Sequence, residues 1–467
     1  MQVTDRASRR INLFRKPRGK HAPAIYDRLD RIQLEVERTE DRRARDRKTE
    51  HKFRQCLRAI CLDLFVAHTA DPEMLIGVSR DNSRLSKPRP DHPDFVSARP
   101  FLDALEGLIR TGYAEQVSLG IEASGKSSRI RGTSKLIDHL GVGQLKQTHI
   151  IDNSDPIRLK VGPKGDKKLT AFLDTAETQR WRANVKRINE HLQRYQVTLD
   201  LDPMQFQEME RQRLEQARFD ALAEVKPIAY QRTNTGAVSL FRVFNSEDWA
   251  QGGRFYGGWW QQIPKQYRRH ILINGKLTCE FDYSAMHLRL IYKLAGADMP
   301  DIDDPYAAPY GPTHRTAVKR AFAVMLNAKK RPRSSTVPEF NQQELGMTWE
   351  QFLDGILEFH EPLRDHMLSG KGTVLQRMDA DIAEAVLLKF TSMNLPCLPI
   401  HDSFITYSTM ADELPDIMES IAATSKAIRI PSRHTHTGEY TGPTGLVEDN
   451  IEDLLNETIQ GQQITVE

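Results

Sequence analysis

A chain of 467 residues with 28% charged and 7% aromatic residues has an ordinary soluble composition and the length for two or three domains, each with its own core. Its net charge of +3 and pI near 8.5 are too mild to identify a polyanionic partner. Cys56, Cys61, Cys279 and Cys397 are too few and scattered for a disulfide framework, no CxxC pair offers a zinc site, and no stretch has the length of a membrane span or the apolar segment of a signal peptide, so a cytoplasmic protein with no membrane partner is expected.

Before His21 there are seven basic residues (Arg6, Arg9, Arg10, Arg15, Lys16, Arg18, Lys20) against the single acid Asp5, the pattern of a mobile basic arm or a solvated terminus. From Ala24 to about Lys52 the sequence is charged and helix-forming but poor in apolar residues, which predicts an exposed helix or linker. A core starts at Phe53, with Leu57, Ile60, Cys61, Leu64 and Phe65 at helical spacing up to His68, and a Pro, Asp and Ser-rich loop follows. Phe101 to Arg110 reads as an amphipathic helix ended at Gly112. Tyr113 to Leu119, a Gly/Ser/Lys turn and SSRIRGTSKLIDHL then predict a strand, a basic turn and a second strand. This order resembles a winged-helix module, and an ordinary α+β domain fits it as well.

Ile157 to Phe172 predicts a hairpin. Thr175 to Gln193 predicts a helix capped by Thr175, with Trp181, Val185, Ile188 and Leu192 buried and basic residues outward, a face suited either to solvent or to a duplex backbone. Another charged helix covers 203–224. The predicted division is a basic arm and charged helix over 1–52, an α+β nucleic-acid-binding region over 53–225, a third region over 226–440 and an acidic tail over 441–467.

Two stretches carry the chemistry. In TCEFDYSAMHLRLIYKLAG (Thr278 to Gly296), Glu280 and Asp282 share a strand face. A helical stripe of Met286, Leu288, Leu290, Ile291 and Leu294 follows, so Asp282 sits at a strand-to-helix corner. In LPIHDSFITY (Leu398 to Tyr407), His401, Asp402 and Ser403 interrupt an apolar, β-branched run. Either acid alone is an ordinary turn residue. Together, two carboxylates from distant strands can hold two divalent cations, which activate an attacking oxygen and stabilise a leaving pyrophosphate.

Around these acids the chain resembles the palm and fingers of the family A DNA polymerases and the related phage-type single-subunit RNA polymerases. DYSAMHLR resembles motif A, with Asp282 as a metal ligand followed by Tyr283 at the nucleotide. HDSF resembles motif C, with Asp402 as the second ligand and His401 beside the nucleic acid; Ser403 is closer to the RNA enzymes. RTAVKRAFAVMLNA (Arg315 to Ala328) resembles motif B, in which Arg315 and Lys319 would hold the triphosphate. Ala323 and Asn327 stand where the family has aromatic residues, so a different nucleotide platform is implied, with Asn327 in it. GGRFYGGWWQQIPKQYRRH places Arg254, Lys265 and Arg268 at nucleic acid, and QRMDADIAEA places Gln376 at template or primer, with Asp381 in the same helix. The matches cover about residues 240 to 410.

The resemblance implies an α+β fold: a right-hand polymerase core, with an antiparallel palm sheet and helical fingers, preceded by the winged-helix-like region. It implies a template-directed nucleotidyltransferase using two Mg²⁺ (or Mn²⁺) ions, with template, primer and NTPs or dNTPs as partners alongside replication proteins. Nothing before residue 225 resembles an exonuclease, so no proofreading is expected. His287 stands where the DNA enzymes have the Glu that excludes a 2′-hydroxyl, and imidazole leaves the product sugar open. Its other reading is a hydrogen-bonded helix residue. Tyr256, Trp259 and Trp260 are candidates for base stacking or for core. Two alternatives stand beside this: a non-catalytic DNA-binding replication initiator with a degenerate palm, and a hydrolytic metal site at His434 and His436.

Overall fold

The computed structural model describes residues 8–39, 44–118, 128–141, 145, 149–163, 167–224 and 233–438, an α+β chain. Its first part runs β1 (Ser8–Arg10), β2 (Arg15–Pro17), α1 (Ala22–Arg38), α2 (Arg47–Ala70), β3 (Leu75–Val78), α3 (Asn82–Ser86), α4 (Ala98–Arg110), β4 (Ala114–Ser118), β5 (Ser128–Gly132), α5 (Ser134–Gly141) and β6 (Ile150–Asp152). The second begins with β7 (Ile157–Val161), β8 (Lys168–Thr170), α6 (Ala176–Leu192), β9 (Val197–Leu199), α7 (Pro203–Glu224), β10 (Phe241–Phe244), β11 (Gly252–Tyr256), β12 (Ile271–Ile273) and β13 (Thr278–Tyr283). It continues with α8 (Met286–Ala295), α9 (Arg315–Asn327), α10 (Gln342–Leu345), α11 (Trp349–Phe359), α12 (Gly372–Ser392), β14 (Leu398–Ile400), β15 (Ser403–Tyr407), α13 (Glu413–Lys426) and β16 (Ser432–Thr437).

Two separate apolar cores, over 13–150 and 157–430, divide these elements. The break in the core therefore falls between Ile150 and Ile157 rather than at 225, and the hairpin β7–β8 and helix α6 belong with the later elements. The acidic tail and the expected Lys226-Pro227 boundary lie outside the described residues.

The basic arm is ordered from Ser8 onward. Asp63 of α2 is fully buried and draws in Arg9 at 2.7 and 2.8 Å, Arg15 at 3.3 Å and the Asn12 backbone N–H at 2.9 Å. A buried carboxylate is tolerated only when paired, so β1 docks parallel to β3 and β2 antiparallel to β6. Helix α1 is likewise no exposed linker. Ile25, Leu29, Ile32, Gln33 and Val36 recur every three or four residues and are buried, and Val36 lies so close to Gly107 of α4 that a Cβ there would meet it at 2.3 Å.

That contact matters for the winged-helix expectation. Helices α2 and α4 and strands β4 and β5 follow the expected order, but strand β3, which pairs antiparallel to β5, and helix α3 stand in the stretch expected as a loop, and α4 has no exposed residue between Arg99 and Arg110. Helix α4 packs against α1 and α2, and the surface it keeps between those two arginines, at Leu102, Asp103, Glu106 and Ile109, is half-exposed and carries no basic residue. The expected second strand stops at Gly132. Leu136 and Leu140, four apart and fully buried, belong to helix α5.

In the second unit the sheets run β11-β10-β7-β8 and β14-β15-β13-β16, with a short β12-β9 pair. The long helix α12 packs against β11, α6, α8, α9 and α13. Thr175 caps α6 in a capping box, and Trp181, Val185, Ile188 and Leu192 are buried as the spacing predicts. Leu294 of the predicted α8 stripe is the exception, at 40% exposure. All four cysteines are buried free thiols. Among the described residues no helix is long and apolar enough to cross a membrane.

Removing Asp63 leaves Arg9 and Arg15 without their shared partner. Asp63→Ala is expected to destabilise the protein by about 3–5 kcal/mol and to open residues 8–17 to protease. Urea denaturation with limited proteolysis checks this, and an unchanged midpoint would refute it.

Candidate active site

Strand β13 is the centre of the four-stranded sheet, antiparallel to β15 on one side and β16 on the other. Asp282 lies opposite Ser403, and the Tyr283 N–H donates to the Asp402 carbonyl at 3.1 Å. The two acids the sequence singled out, 120 residues apart, thus occupy neighbouring positions on adjacent strands. Asp402 is the second residue of a two-residue turn joining β14 to β15, and His401, the first, has φ 60°. Asp282 is followed by a corner in which Ala285 has φ 51° before α8 begins. Two non-glycine residues in the left-handed region within the two acidic motifs mark local backbone strain of the kind that collects at functional sites.

Glu280 shares the face of Asp282, as the two-residue period predicts, but is sealed beneath it at 1% exposure. Its partners are Arg268 at 2.9 Å and His436 at 3.4 Å, and burial raises its pKa. Arg268, expected at nucleic acid, is therefore committed to Glu280, while Lys265 is exposed. Asp282 meets Arg433 at 3.3 Å through Oδ2, and its buried Oδ1 has no donor among the described residues. Burial also raises the pKa of Asp402; the Arg254 charge opposes this and that of Asp379 adds to it. The Asp402 carboxylate is hydrogen-bonded by its own backbone N–H, which favours the charged form, and by no side-chain donor among the described residues.

Asp379 is the site residue the sequence reading passed over. It is 1% exposed on α12, accepts from Arg254 Nε at 3.1 and 3.0 Å, and lies 2.7 Å from His287 Nε2, which is itself 3.0 Å from Arg254. The residue before this arginine, Gly253, has φ 84°, and a Cβ there would meet Phe244 at 2.9 Å, so this position favours glycine. Arg254 is thus held by a carboxylate, and His287 is a hydrogen-bonded helix residue beside Asp402. The missed signal was legible. Leu375, Asp379, Ile382 and Val386 form one helical stripe, and an acid in an apolar stripe needs a cation.

On α9, Arg315 and Lys319 do share a face. The guanidinium is 6.0 Å and the ammonium 5.7 Å from the ring centre of Tyr306. Arg315 is ion-paired to Asp304, and Lys319 is exposed. Burial raises the pKa of the Tyr306 hydroxyl, with Asp402 adding to the rise and Arg315 opposing it. Sequence gave no hint of this ring.

The remaining candidates divide. Tyr283 is 2% exposed and its hydroxyl donates to the Met418 carbonyl, which places it in the core rather than at a nucleotide. Asn327 Nδ2 donates to the Ala323 carbonyl at 2.8 Å, and a Cβ on Gly372 would meet its Oδ1 at 2.0 Å, so it closes the end of α9 against α12. Gln376 is half-exposed; Asp381 takes Arg242, Arg377 and Lys426 and is structural. His401 is half-buried, its pKa pushed down to about 4 by burial, and its ring is 5.9 Å from that of Tyr256. Trp259 and Trp260 are both core, at 2% and 0% exposure, leaving Tyr256 at 37% as the aromatic that can stack.

Among the described residues no group of three His, Cys, Asp or Glu side chains is arranged to hold a metal ion. A register shift between Glu280 and Phe281 puts His436 opposite Glu280 and His434 against the Phe281 ring at 4.9 Å, so these histidines face opposite sides and cannot share a metal. Asp282 and Asp402 are a different donor set: two hard, under-satisfied carboxylates. Mg²⁺ commonly takes one or two carboxylates and completes its shell with water and substrate phosphate, and the pair fits that demand.

No family model matches the chain, and no curated protein matches it. Among solved structures, the POL domain of Pol1 from M. smegmatis, in complex with DNA primer-template and dNTP, matches at 12% identity and a TM-score of 0.31, over 89% of this chain and 66% of that one. So loose a superposition does not align individual side chains.

Because burial raises the pKa of Asp402, its ionisation costs stability at neutral pH. Asp402→Asn is expected to raise the melting temperature of metal-free protein, by about 0.5–2 kcal/mol in stability; a lowered one would refute the electrostatic assignment. His360, buried between α8 and α9 and hydrogen-bonded to Tyr292 at 2.8 Å, has its pKa pushed down to about 4 by burial. The unfolded chain takes up this proton near the ordinary histidine value and the folded protein does not. Its contribution is therefore complete above about pH 6.5 and lost as the pH falls toward 4. Urea midpoints at pH 7 and 4.5 should differ by about 2–3 kcal/mol less in His360→Gln than in the parent.

Proposed function

We propose that this protein is a template-directed nucleotidyltransferase built on a right-hand polymerase core, with β14-β15-β13-β16 as palm and α9 to α11 as fingers. The observation that supports the proposal is that the two motif acids lie at neighbouring positions at one end of the sheet, while Arg315 and Lys319 share one face of α9 beside the Tyr306 ring. A triphosphate needs both: negative groups to place divalent metal at the reacting phosphate, and positive groups at the departing pyrophosphate.

Asp282 and Asp402 would hold Mg²⁺, which when bound supplies Lewis-acid polarisation of the α-phosphate and a lowered pKa for the attacking hydroxyl. Lys319 and Arg315 bind the β- and γ-phosphates and take up the negative charge that grows on the bridging oxygen as the bond to the α-phosphorus breaks. Asp379 holds Arg254 and His287 in place, so the imidazole stands fixed at the edge of the nucleotide space. Tyr256 and the half-exposed Gln376 are the groups placed to meet the primer–template. No part of this scheme includes a proofreading nuclease.

The test is extension of a labelled template, with and without primer, with rNTPs or dNTPs and Mg²⁺. Product is expected from the parent protein, none from Asp402→Ala, and a rate about 10²–10³-fold lower from Lys319→Ala. Product from rNTPs without primer would define an RNA-synthesising enzyme, and primer-dependent product from dNTPs alone a DNA polymerase. A parent protein as inactive as Asp402→Ala under every condition would overturn the catalytic reading and leave a nucleic-acid-binding scaffold.

A further inference from the structure

A groove of about 1830 Å³ lies between the two cores, and none of Asp282, Asp402, Arg315 or Lys319 lines it. One wall is built from the β1–β2 segment, the amino-terminal half of α2 and the loop over 88–95. The other comes from 152–159, 169–174 and the residues around Phe241 and Trp259. We infer that this groove takes a single-stranded nucleic acid, held by its phosphates along α2 and by its bases against the opposite wall.

The cations of the groove fall into two kinds. Arg9, Arg58, Arg89 and Arg182 are spent on Asp63, Asp30, Asp91 and the pair Asp155 and Asp174. Arg10, Lys16, Arg47, Lys48 and Lys52 line the same groove and have no carboxylate partner among the described residues. These five lie on one wall, and all but the half-exposed Lys52 are exposed. On α2 the set continues through His51 and Gln55, so that positions 47/48, 51/52 and 55 form one helical stripe.

Two of these cations stand where helix stability disfavours them. Arg47 and Lys48 occupy the first turn of α2, at the positive end of its dipole, although Asp46 caps the helix properly through the N–H groups of Lys48 and Thr49. A polyanion laid across this end would meet the dipole and both side chains at once. Intramolecular pairing does not account for them.

The opposite wall is aromatic and polar. Phe172 and Phe241 are half-exposed, the Arg158 guanidinium lies 3.5 Å over the Phe241 ring, and the Trp259 indole N–H is a buried donor without an acceptor among the described residues. Flat rings opposite unpaired cations suit unstacked bases on a phosphate backbone, whereas a duplex hides its base faces. The aromatic line also leaves the groove: Phe241 stacks on Tyr256 at 6.2 Å, and Tyr256 meets His401, next to Asp402, at 5.9 Å. A strand in the groove would therefore be led to the carboxylate turn, yet its binding does not require that the carboxylates be catalytic.

The experiment uses the full chain carrying Asp402→Asn, so that binding is read apart from chemistry. Fluorescence anisotropy with labelled dT20, U20 and a 20-base-pair duplex is measured against salt for the parent, for Arg47→Glu/Lys48→Glu/Lys52→Glu, and for Lys186→Glu/Arg187→Glu on the exposed face of α6. Thermal melts confirm that each variant is folded. The expected result is tighter binding of a single strand (dT20, U20 or both) than of duplex, at least tenfold weaker binding by the α2 triple variant, and less than a twofold change for the α6 variant. The log–log salt slope should fall by about 2 in the triple variant, from three lost phosphate contacts. Phe172→Ala should weaken binding about fivefold without changing that slope. Equal losses from the α2 and α6 reversals, or duplex bound as tightly as single strand, would overturn the assignment.

Discussion

The second unit is organised around a guanidinium with no exposed surface. Arg242 sits among Trp181, Phe244 and Phe255 and is held by Glu384 at 3.1 Å, Asp381 at 3.3 Å and the Gly253 carbonyl at 2.6 Å. Burial lowers its pKa to about 10, so it stays charged at neutral pH and its carboxylates must be present. Isolating one member of such a group is far more costly than exchanging the whole group for apolar residues. The hairpin β10–β11 is therefore tied to α12 in one register. On the same helix Asp379 holds Arg254 and His287, so the helix that anchors the hairpin also sets the charge environment of Asp402.

Strain and anchoring are separated in space. The left-handed residues Ala285 and His401 flank the acids, while the compensating interactions lie behind them. The Trp260 indole donates to the Pro399 carbonyl at 3.0 Å, and the Gln261 amide donates to it at 3.1 Å. The turn bearing Asp402 is thereby fixed from the core side, and among the described residues its carboxylate has its own backbone N–H but no side-chain donor. A site in which local stability is forgone and restored by neighbours is the usual state of functional residues.

What the sequence made legible was local. The two-residue period put Glu280 and Asp282 on one face, the three- and four-residue periods put Arg315 with Lys319 and buried the stripe of α6, and the interrupted apolar run marked the Asp402 turn. What it hid depends on partners far along the chain. Nothing near Arg9 reveals Asp63, 54 residues on, so an ordered segment reads as a mobile arm. Nothing near Arg254 reveals Asp379, 125 residues on, so a charge held by a carboxylate reads as free for nucleic acid. Helix α1 was hidden for another reason: its many charges mask a regular apolar stripe one residue wide. The run after Gly132 was too short for periodicity to separate strand from helix.

The balance of charge around the sheet end isolates the two motif acids from their neighbours. Four carboxylates gather there. Asp379 is neutralised by Arg254 and Glu280 by Arg268, each across a buried ion pair. Among the described residues Asp282 has only Arg433 at the rim, itself 57% exposed and therefore well screened, and Asp402 has no direct cation. Burial makes this shortage expensive, since each added unpaired charge raises the cost of keeping the others ionised. The Tyr283 N–H bond to the Asp402 carbonyl holds the two motif acids side by side, so the two least compensated carboxylates of the group are also neighbours.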